Sequence, residues 1–182
     1  MQDISMHILD IAGNSIDAGA TRIAVTVEED AEGDTLRVTI EDDGKGMDAD
    51  TVRRLTDPFF STKRKKTGLG IPLLAQSARE AGGCIRVRSA PGGGTTVEAE
   101  FRLSHIDRRP LGDLTSTLTA LIGGNPEVDL LFRYRAGGGE YVLDTADVKR
   151  QLGDVPISYP GALSVLRKEI SAGMRRLGKG GG

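Results

Sequence analysis

The sequence predicts an α+β fold: a two-layer α/β sandwich on a mostly antiparallel sheet, followed by a small α+β module. Three observations carry this. Segments of period two come in pairs joined by short polar or glycine-rich stretches, Thr21–Glu28 with Leu36–Ile40 and Cys84–Ser89 with Thr95–Leu103, which is the pattern of hairpins. Segments of helical spacing lie before and between those pairs, so helices cover a sheet instead of alternating with single parallel strands. Glycine is abundant, 25 of 182 residues, and aromatics make up 4%, which suits tight backbone approaches around an aliphatic core.

Charge and composition narrow the class. Lys and Arg number 24 against 26 Asp and Glu, so no global field favours nucleic acid or an anionic membrane. The single Cys84 excludes an intrachain disulfide framework and fits a reducing compartment. No apolar run approaches the roughly 20 residues needed to span a bilayer. A soluble, cytoplasmic protein is expected, with neither nucleic acid nor membrane as partner.

The elements follow in order. Ile4 to Asp17 carries apolar residues at helical spacing, with Asp3 or Ser5 as its cap and Gly19 where a terminating glycine belongs. Gly13 inside it costs roughly 1 kcal/mol of propensity. The strand Thr21–Glu28 turns through Gly33 into Leu36–Ile40, which runs into Glu41-Asp42-Asp43-Gly44-Lys45-Gly46-Met47. There the carboxylate of Asp42 ends a strand, and two glycines let the backbone approach a neighbour or ligand closely. Asp48 caps a short helix to Leu55. Residues 56–70 have no period; Lys63-Arg64-Lys65-Lys66 lies between Phe59-Phe60 and Gly68-Leu69-Gly70. An isolated charge run is ordinarily a solvated loop, but this anchoring reads as a lid whose charge seeks an anion. The helix Ile71–Ala81 is entered through glycines, so its N-terminal amides and dipole offer an anion site. Cys84–Ser89 and Thr95–Leu103 close a hairpin around Pro91-Gly92-Gly93-Gly94.

Residues 1–103 are thus expected to form one domain and residues 104–177 the small module, with residues 178–182 as a disordered tail. In the module, Pro110 is expected to open a helix over Leu111–Ile122. A hairpin follows, Val128–Tyr134 with Glu140–Leu143, then a helix to Leu152 capped by Asp144 or Thr145, and a last one from Gly161 to Leu177. His105, Asp107 and Arg108 read as ties between the halves, and the module carries no chemical motif.

The first helix then gains chemistry. Asp10 and Asn14 stand at i and i+4, on one face, with Asp17 three further on. An Asn oxygen is a neutral ligand suited to Mg²⁺, which takes few protein oxygens beside phosphates and waters. In order, Asp10-Ile11-Ala12-Gly13-Asn14, Asp42-Asp43-Gly44-Lys45-Gly46, Gly68-Leu69-Gly70 and Gly94-Thr95 resemble the GHKL ATP-binding domain. That superfamily, with its Bergerat-type sandwich, takes in gyrase, the ninety-kilodalton heat-shock chaperones, histidine kinases and MutL mismatch-repair proteins. Asn14 through Ile23 is similar to MutL, whereas Pro58-Phe59-Phe60-Ser61-Thr62-Lys63 and Pro91-Gly92-Gly93-Gly94-Thr95-Thr96 look like histidine kinases. The resemblance covers about residues 4 to 103.

The resemblance implies the roles. Asp42 would accept the adenine amine, supported through a shared water by Thr95; Gly44 and Gly46 would let base and ribose lie on the loop, and Met47 would cover the adenine. Asn14 would hold Mg²⁺, with Asp17 beside it in the nucleotide set. Thr67, Gly68, Leu69 and Gly70 would serve the phosphates, and Lys63, with Arg64 as a second candidate, the γ-phosphate. Asp10 stands where hydrolytic members place a Glu that orients water. It is one methylene shorter, and a displacement of ~1 Å costs on the order of a hundredfold in rate, so ATP binding is expected and strong hydrolysis is not. The first matching helix begins at about residue 4, so if the protein is a kinase its phospho-acceptor is expected on another protein; His7 reads as a satisfied core imidazole. The expected function is a Mg-ATP-binding protein of histidine-kinase-like type that transfers phosphate to, or regulates, an unidentified protein partner. A slow ATPase acting as a switch and a nucleotide-gated binding module stand as alternatives, and homodimerisation is left open.

Overall fold

The computed structural model describes residues 3–57 and 69–178. Helix α1 (Ile4–Asp17) starts at Asp3, whose carboxylate accepts the Met6 N–H at 3.0 Å, and stops before Gly19 at φ +79°. Strands β1 (Arg22–Asp30) and β2 (Thr35–Asp42) form a hairpin. Helices α2 (Ala49–Thr56, capped by Asp48) and α3 (Gly70–Glu80) precede the hairpin β3 (Cys84–Ser89) and β4 (Thr95–Arg102). Then come α4 (Leu114–Gly124), β5 (Asp129–Ala136), β6 (Gly139–Asp144), α5 (Thr145–Leu152) and α6 (Pro160–Gly178).

All six strands join one sheet in the order β3-β4-β2-β1-β5-β6, and only β1 and β5 run parallel. The fold is α+β, helices over a mostly antiparallel sheet. Alternation sorts the faces. Across one face Val97, Ile40, Val25, Phe132 and Leu143 stand in register on five strands, buried beneath helices. Ile4, Ile8 and Ile11 of α1, Leu74 and Ala78 of α3, Leu118 of α4 and Ile170 of α6 close over them in one core. Each buried Ile, Leu, Val or Phe among them contributes roughly 1.5–3 kcal/mol on burial. The opposite face is charged and in register too. Glu100, Arg37, Glu28, Arg135 and Glu140 alternate in sign across five strands, each Arg bridging its neighbours.

The chain beyond residue 103 therefore continues the sheet. The Asp129 N–H donates to the Thr21 carbonyl at 2.9 Å, Arg22 pairs with Asp144 at 2.8 Å, and the buried Leu130 N–H donates to Thr145 Oγ1 at 2.7 Å.

One expected element moves. Helix α4 begins at Leu114, capped by Asp113, and not at Leu111 behind Pro110. The carbonyls of Pro110 and Leu111 accept the Ile4 and Ser5 N–H groups at 3.0 and 2.9 Å, so this stretch satisfies the first donors of α1, which every helix leaves orphaned. Asp107 and Arg108 form a local turn, the Asp107 N–H on His105 Nδ1 and Arg108 Nε on the Leu103 carbonyl. Gly178 ends α6, and residues 179–182 lie outside the described set. Among the described residues no helix is long and apolar enough to cross a membrane.

Candidate nucleotide site

A cavity of about 270 Å³ opens between α1, α2, α3, the loop after β2 and the start of β4. Its walls are mostly apolar: Ile11 and Ala18 of α1, Met47 of the loop, Leu55 of α2, Ile71 of α3 and Val97 of β4. Polar groups are few. Asn14 and Ser15 come from α1, Asp42 and Lys45 from the β2 end, Thr51 from α2 and Thr95 from β4. Such a slot, apolar with a few convergent polar atoms, is the usual form of a small-molecule site.

Each polar group is placed by its element. Asp42 is the last residue of β2, in register with Thr95 on β4. Its carboxylate is gripped from two sides, accepting the Ser15 hydroxyl at Oδ2 (2.5 Å) and the Gly44 N–H at Oδ1 (2.9 Å). Thr95 Oγ1 lies 2.9 Å from Ser89 Oγ, which donates to the Gly94 carbonyl (2.8 Å) and accepts the Met47 N–H (2.8 Å). This network fixes the loop to the β3–β4 turn. The neighbouring Asp43 points the other way and accepts the Thr21 N–H, the Thr21 hydroxyl and the Arg22 N–H at 2.8, 2.6 and 2.9 Å. The Thr21 hydroxyl, helped by those amides, holds the Asp43 carboxyl below the usual carboxylate range.

The glycines answer to packing. At Gly46, with φ +68°, a Cβ would stand 1.9 Å from the Ala90 carbonyl oxygen; at Gly94 it would stand 2.0 Å from that of Asp42. Both are required for loop and turn to touch at all. Gly70 lets α3 start against α1, where a Cβ would sit 3.1 Å from Asp10 Cβ. Leu69 at the N-cap has no side-chain oxygen and Pro72 has no N–H, so the amides of Gly70 and Ile71 are the donors of the first turn.

Of the residues expected from the sequence, Asn14, Asp42, Gly46, Met47 and Thr95 line the cavity. Gly44 sits beneath Asp42 as a donor. Asp10 stands one turn before Asn14, at the α3 junction, and Leu69 and Gly70 open α3. Asp17 is exposed and is not among the lining residues. Lys63, Arg64, Thr67 and Gly68 lie outside the described residues. His7 is 3% exposed, as a core imidazole should be, yet its Nδ1 has no hydrogen-bond partner among the described residues, and burial lowers its pKa.

The sequence reading missed Ser15, Lys45, Thr51 and the apolar walls other than Met47. A signal existed for Ser15: it continues the buried stripe Ile4, Ile8, Ile11 at helical spacing, and a polar side chain on such a stripe needs a partner.

No group of three or more metal-ligating acids, His or Cys occurs among the described residues. The donor set instead fits a cation held by one protein oxygen and completed by phosphates and water: the Asn14 side chain is exposed at the cavity.

Residues 2–105 match a family model described as histidine kinase-, DNA gyrase B-, and HSP90-like ATPase. The chain is 40% identical over 88 residues to the sensor protein kinase FleS of Pseudomonas aeruginosa, covering 48% of this chain and 22% of that protein. It is 32% identical over 109 residues to the sensor histidine kinase ZraS of Escherichia coli, covering 60% of this chain and 23% of that one. It thus spans less than a quarter of either relative. Among solved structures, the N-terminal domain of a DNA repair protein aligns with a TM-score of 0.52 at 17% identity, over 79% of this chain and 53% of that chain; this likeness is one of fold.

Proposed function

Because the chain belongs to the histidine kinase-, DNA gyrase B- and HSP90-like ATPase family, we propose that it binds Mg-ATP in this cavity and transfers phosphate to, or regulates, a protein partner. The observation that carries the nucleotide reading is the carboxylate of Asp42, held by Ser15 and Gly44 beside an otherwise apolar slot. A flat base fits apolar walls, and its exocyclic amine finds one acceptor. A hydrogen bond to a charged group of this kind contributes about 1.5–3 kcal/mol.

The remaining residues divide the work. Met47 and Leu55 shield the base from water, and Thr95 supports the edge that Asp42 reads. The amides of Gly70 and Ile71, at the positive end of the α3 dipole, receive phosphate oxygens. Asn14 holds the metal, which when bound neutralises phosphate charge. Lys63, Thr67 and Gly68 complete the phosphate contacts in this proposal, and Asp17, exposed on α1 beside the lining residue Ala18, belongs to its nucleotide set. A cytoplasmic setting, expected from the single Cys84, belongs to the proposal as well.

Asp10 supports transfer or retention of phosphate over rapid hydrolysis. Its carboxylate ends one bond short of where a Glu would reach, at the point where α3 packs on α1 through Gly70. A second reading, a slow ATPase serving as a switch, draws on the Asp43–Thr21–Arg22–Asp144 links between the loop and the strands beyond residue 103.

Purified chain incubated with γ-labelled ATP, Mg²⁺ and candidate proteins separates the readings. Label on a protein supports the kinase reading, free phosphate the slow ATPase, and bound intact ATP a gated binding module. Asp10→Glu should raise basal phosphate release severalfold; an unchanged rate would show that residue 10 does not face the attacking water.

A further inference from the structure

We propose that the outer edge of β6, with the groove beside it, binds an extended segment of a partner protein that carries apolar residues at alternate positions and a lysine or arginine opposite Glu140.

The backbone of β6 is half used. It is the last strand of the sheet and pairs only with β5. The turn between them has two residues, Gly137 and Gly138, both at positive φ, and its i to i+3 bond makes Ala136 and Gly139 a hydrogen-bonded pair. Such pairs alternate along an antiparallel ladder, so Tyr141 and Leu143 bond to β5, while the N–H and C=O groups of Glu140 and Val142 point outward. Among the described residues no backbone group outside the ladder pairs with them. The register with β5 has no bulge, and β6 holds neither Lys nor Pro, the residues that commonly guard an edge. The opposite edge differs: β3 exposes Arg86 and Arg88.

A groove of about 560 Å³ lies between β6, α5 and α6. Tyr141 and Leu143 line it on β6, Leu152 on α5 and Leu166 on α6. Val142, Val155 and Val165, also in the lining, are 47%, 46% and 60% exposed, so apolar surface meets water there. The groove shares no lining residue with the nucleotide cavity. A strand added to β6 answers both features. Its main chain bonds Glu140 and Val142, and its side chains opposite Tyr141 and Leu143 share their face and enter the groove.

Charge selects the occupant. On the other face the row Glu100, Arg37, Glu28, Arg135, Glu140 alternates in sign and stops at β6. Glu140 has Arg135 at 2.8 Å on one side and no strand on the other, so a cation continues the row, and opposite charges across strands attract. Glu169, the one charged residue in the groove lining, is acidic as well. A second copy joined through its own β6 supplies no such cation, because Gly139–Asp144 holds two acids and no base. Joining to the β3 edge of another copy would supply one, but that head-to-tail contact builds rings or filaments, which sedimentation detects.

The probe is the capped, fluorescein-labelled hexapeptide Thr-Ile-Thr-Val-Lys-Thr, whose Ile and Val fall opposite Leu143 and Tyr141 and whose Lys falls opposite Glu140 in an antiparallel pairing. Anisotropy with the full chain should show saturable binding, at least about threefold tighter than for the same peptide with Glu in place of Lys. Glu140→Lys should reverse that preference. Val142→Pro removes an outward N–H that β5 does not use, a change edge strands tolerate, and should abolish binding of both peptides; circular dichroism reports whether each variant is folded. No saturable binding by the folded wild-type chain overturns the proposal, as does a preference that survives Glu140→Lys or a folded Val142→Pro chain that binds as wild type does. Growth of the chain's sedimentation coefficient with concentration, lost in Val142→Pro, would assign the edge to another copy and overturn it too.

Discussion

Replacing Asp42 with Asn changes one oxygen for an NH₂ and little else in shape. The surrounding hydrogen bonds dictate how the new side chain sits. The Gly44 N–H, at 2.9 Å, requires an oxygen opposite, so the amide carbonyl takes the Oδ1 place. The NH₂ then faces Ser15 Oγ, whose proton can swing to the Ile11 carbonyl already 3.2 Å away. The protein's own hydrogen bonds are restored, and the thermal midpoint should move by less than about 4 °C, the shift expected of ~1 kcal/mol in a chain of this size. The nucleotide fares worse. A bond to a charged acceptor, worth about 1.5–3 kcal/mol, becomes a neutral one of about 0.5–1.5, and wherever the NH₂ faces the adenine amine two donors oppose each other. ATP affinity should drop between about tenfold and a hundredfold. Titration calorimetry beside a thermal melt reads both numbers. A dissociation constant within about twofold of wild type, with the fold intact, would refute the assignment of Asp42 to the base.

Two further outcomes concern the loop. Gly46→Ala places a Cβ against the Ala90 carbonyl at φ +68°; the left-handed conformation alone costs roughly 1–2 kcal/mol, so the melting temperature should fall by at least about 2–8 °C and ATP affinity with it. An unchanged melt would mean that the loop does not rest on the β3–β4 turn. Asp43, whose folded carboxyl is held low by the Thr21 hydroxyl and the Thr21 and Arg22 amides, contributes stability that is present above the ordinary carboxylate pKa near 4 and lost as pH falls through the lower folded value. Urea unfolding between pH 7 and 3 should therefore lose stability more steeply in wild type than in Asp43→Asn, and parallel curves would refute the role given to that carboxylate.

Local signals make most elements readable. Asp3, Asp48 and Asp144 cap their helices as their positions announce, and the period-two runs pair as hairpins with the apolar rows inward. What distance in sequence hides is not readable. The parallel pairing of β1 with β5 joins residues more than a hundred apart, and nothing within either strand names its neighbour. The late start of α4 has the same origin, since the carbonyls of Pro110 and Leu111 are taken by α1 from the other end of the chain. The site is legible where a motif carries it, at Asn14, Asp42 and Thr95. It is not legible at Lys45, Thr51 or Leu55, whose presence at the cavity depends on how α2 and the loop fold back. In the sequence the glycines suggest a ligand's approach, whereas Gly46 and Gly94 answer first to backbone carbonyls of the protein itself.

The parallel seam between β1 and β5 has a practical consequence for anyone dissecting the molecule. A fragment stopped near residue 105, where the family match ends, would leave the whole length of β1 as a raw border of unpaired amides and carbonyls. It would also uncover Ile23, Val25 and Val27 on the side where Leu130, Phe132 and Tyr134 now abut them. Such borders recruit other chains. The portion that matches the family, cut to that outline, would be a sticky half-shell and a misleading stand-in for the nucleotide-binding properties proposed for the chain.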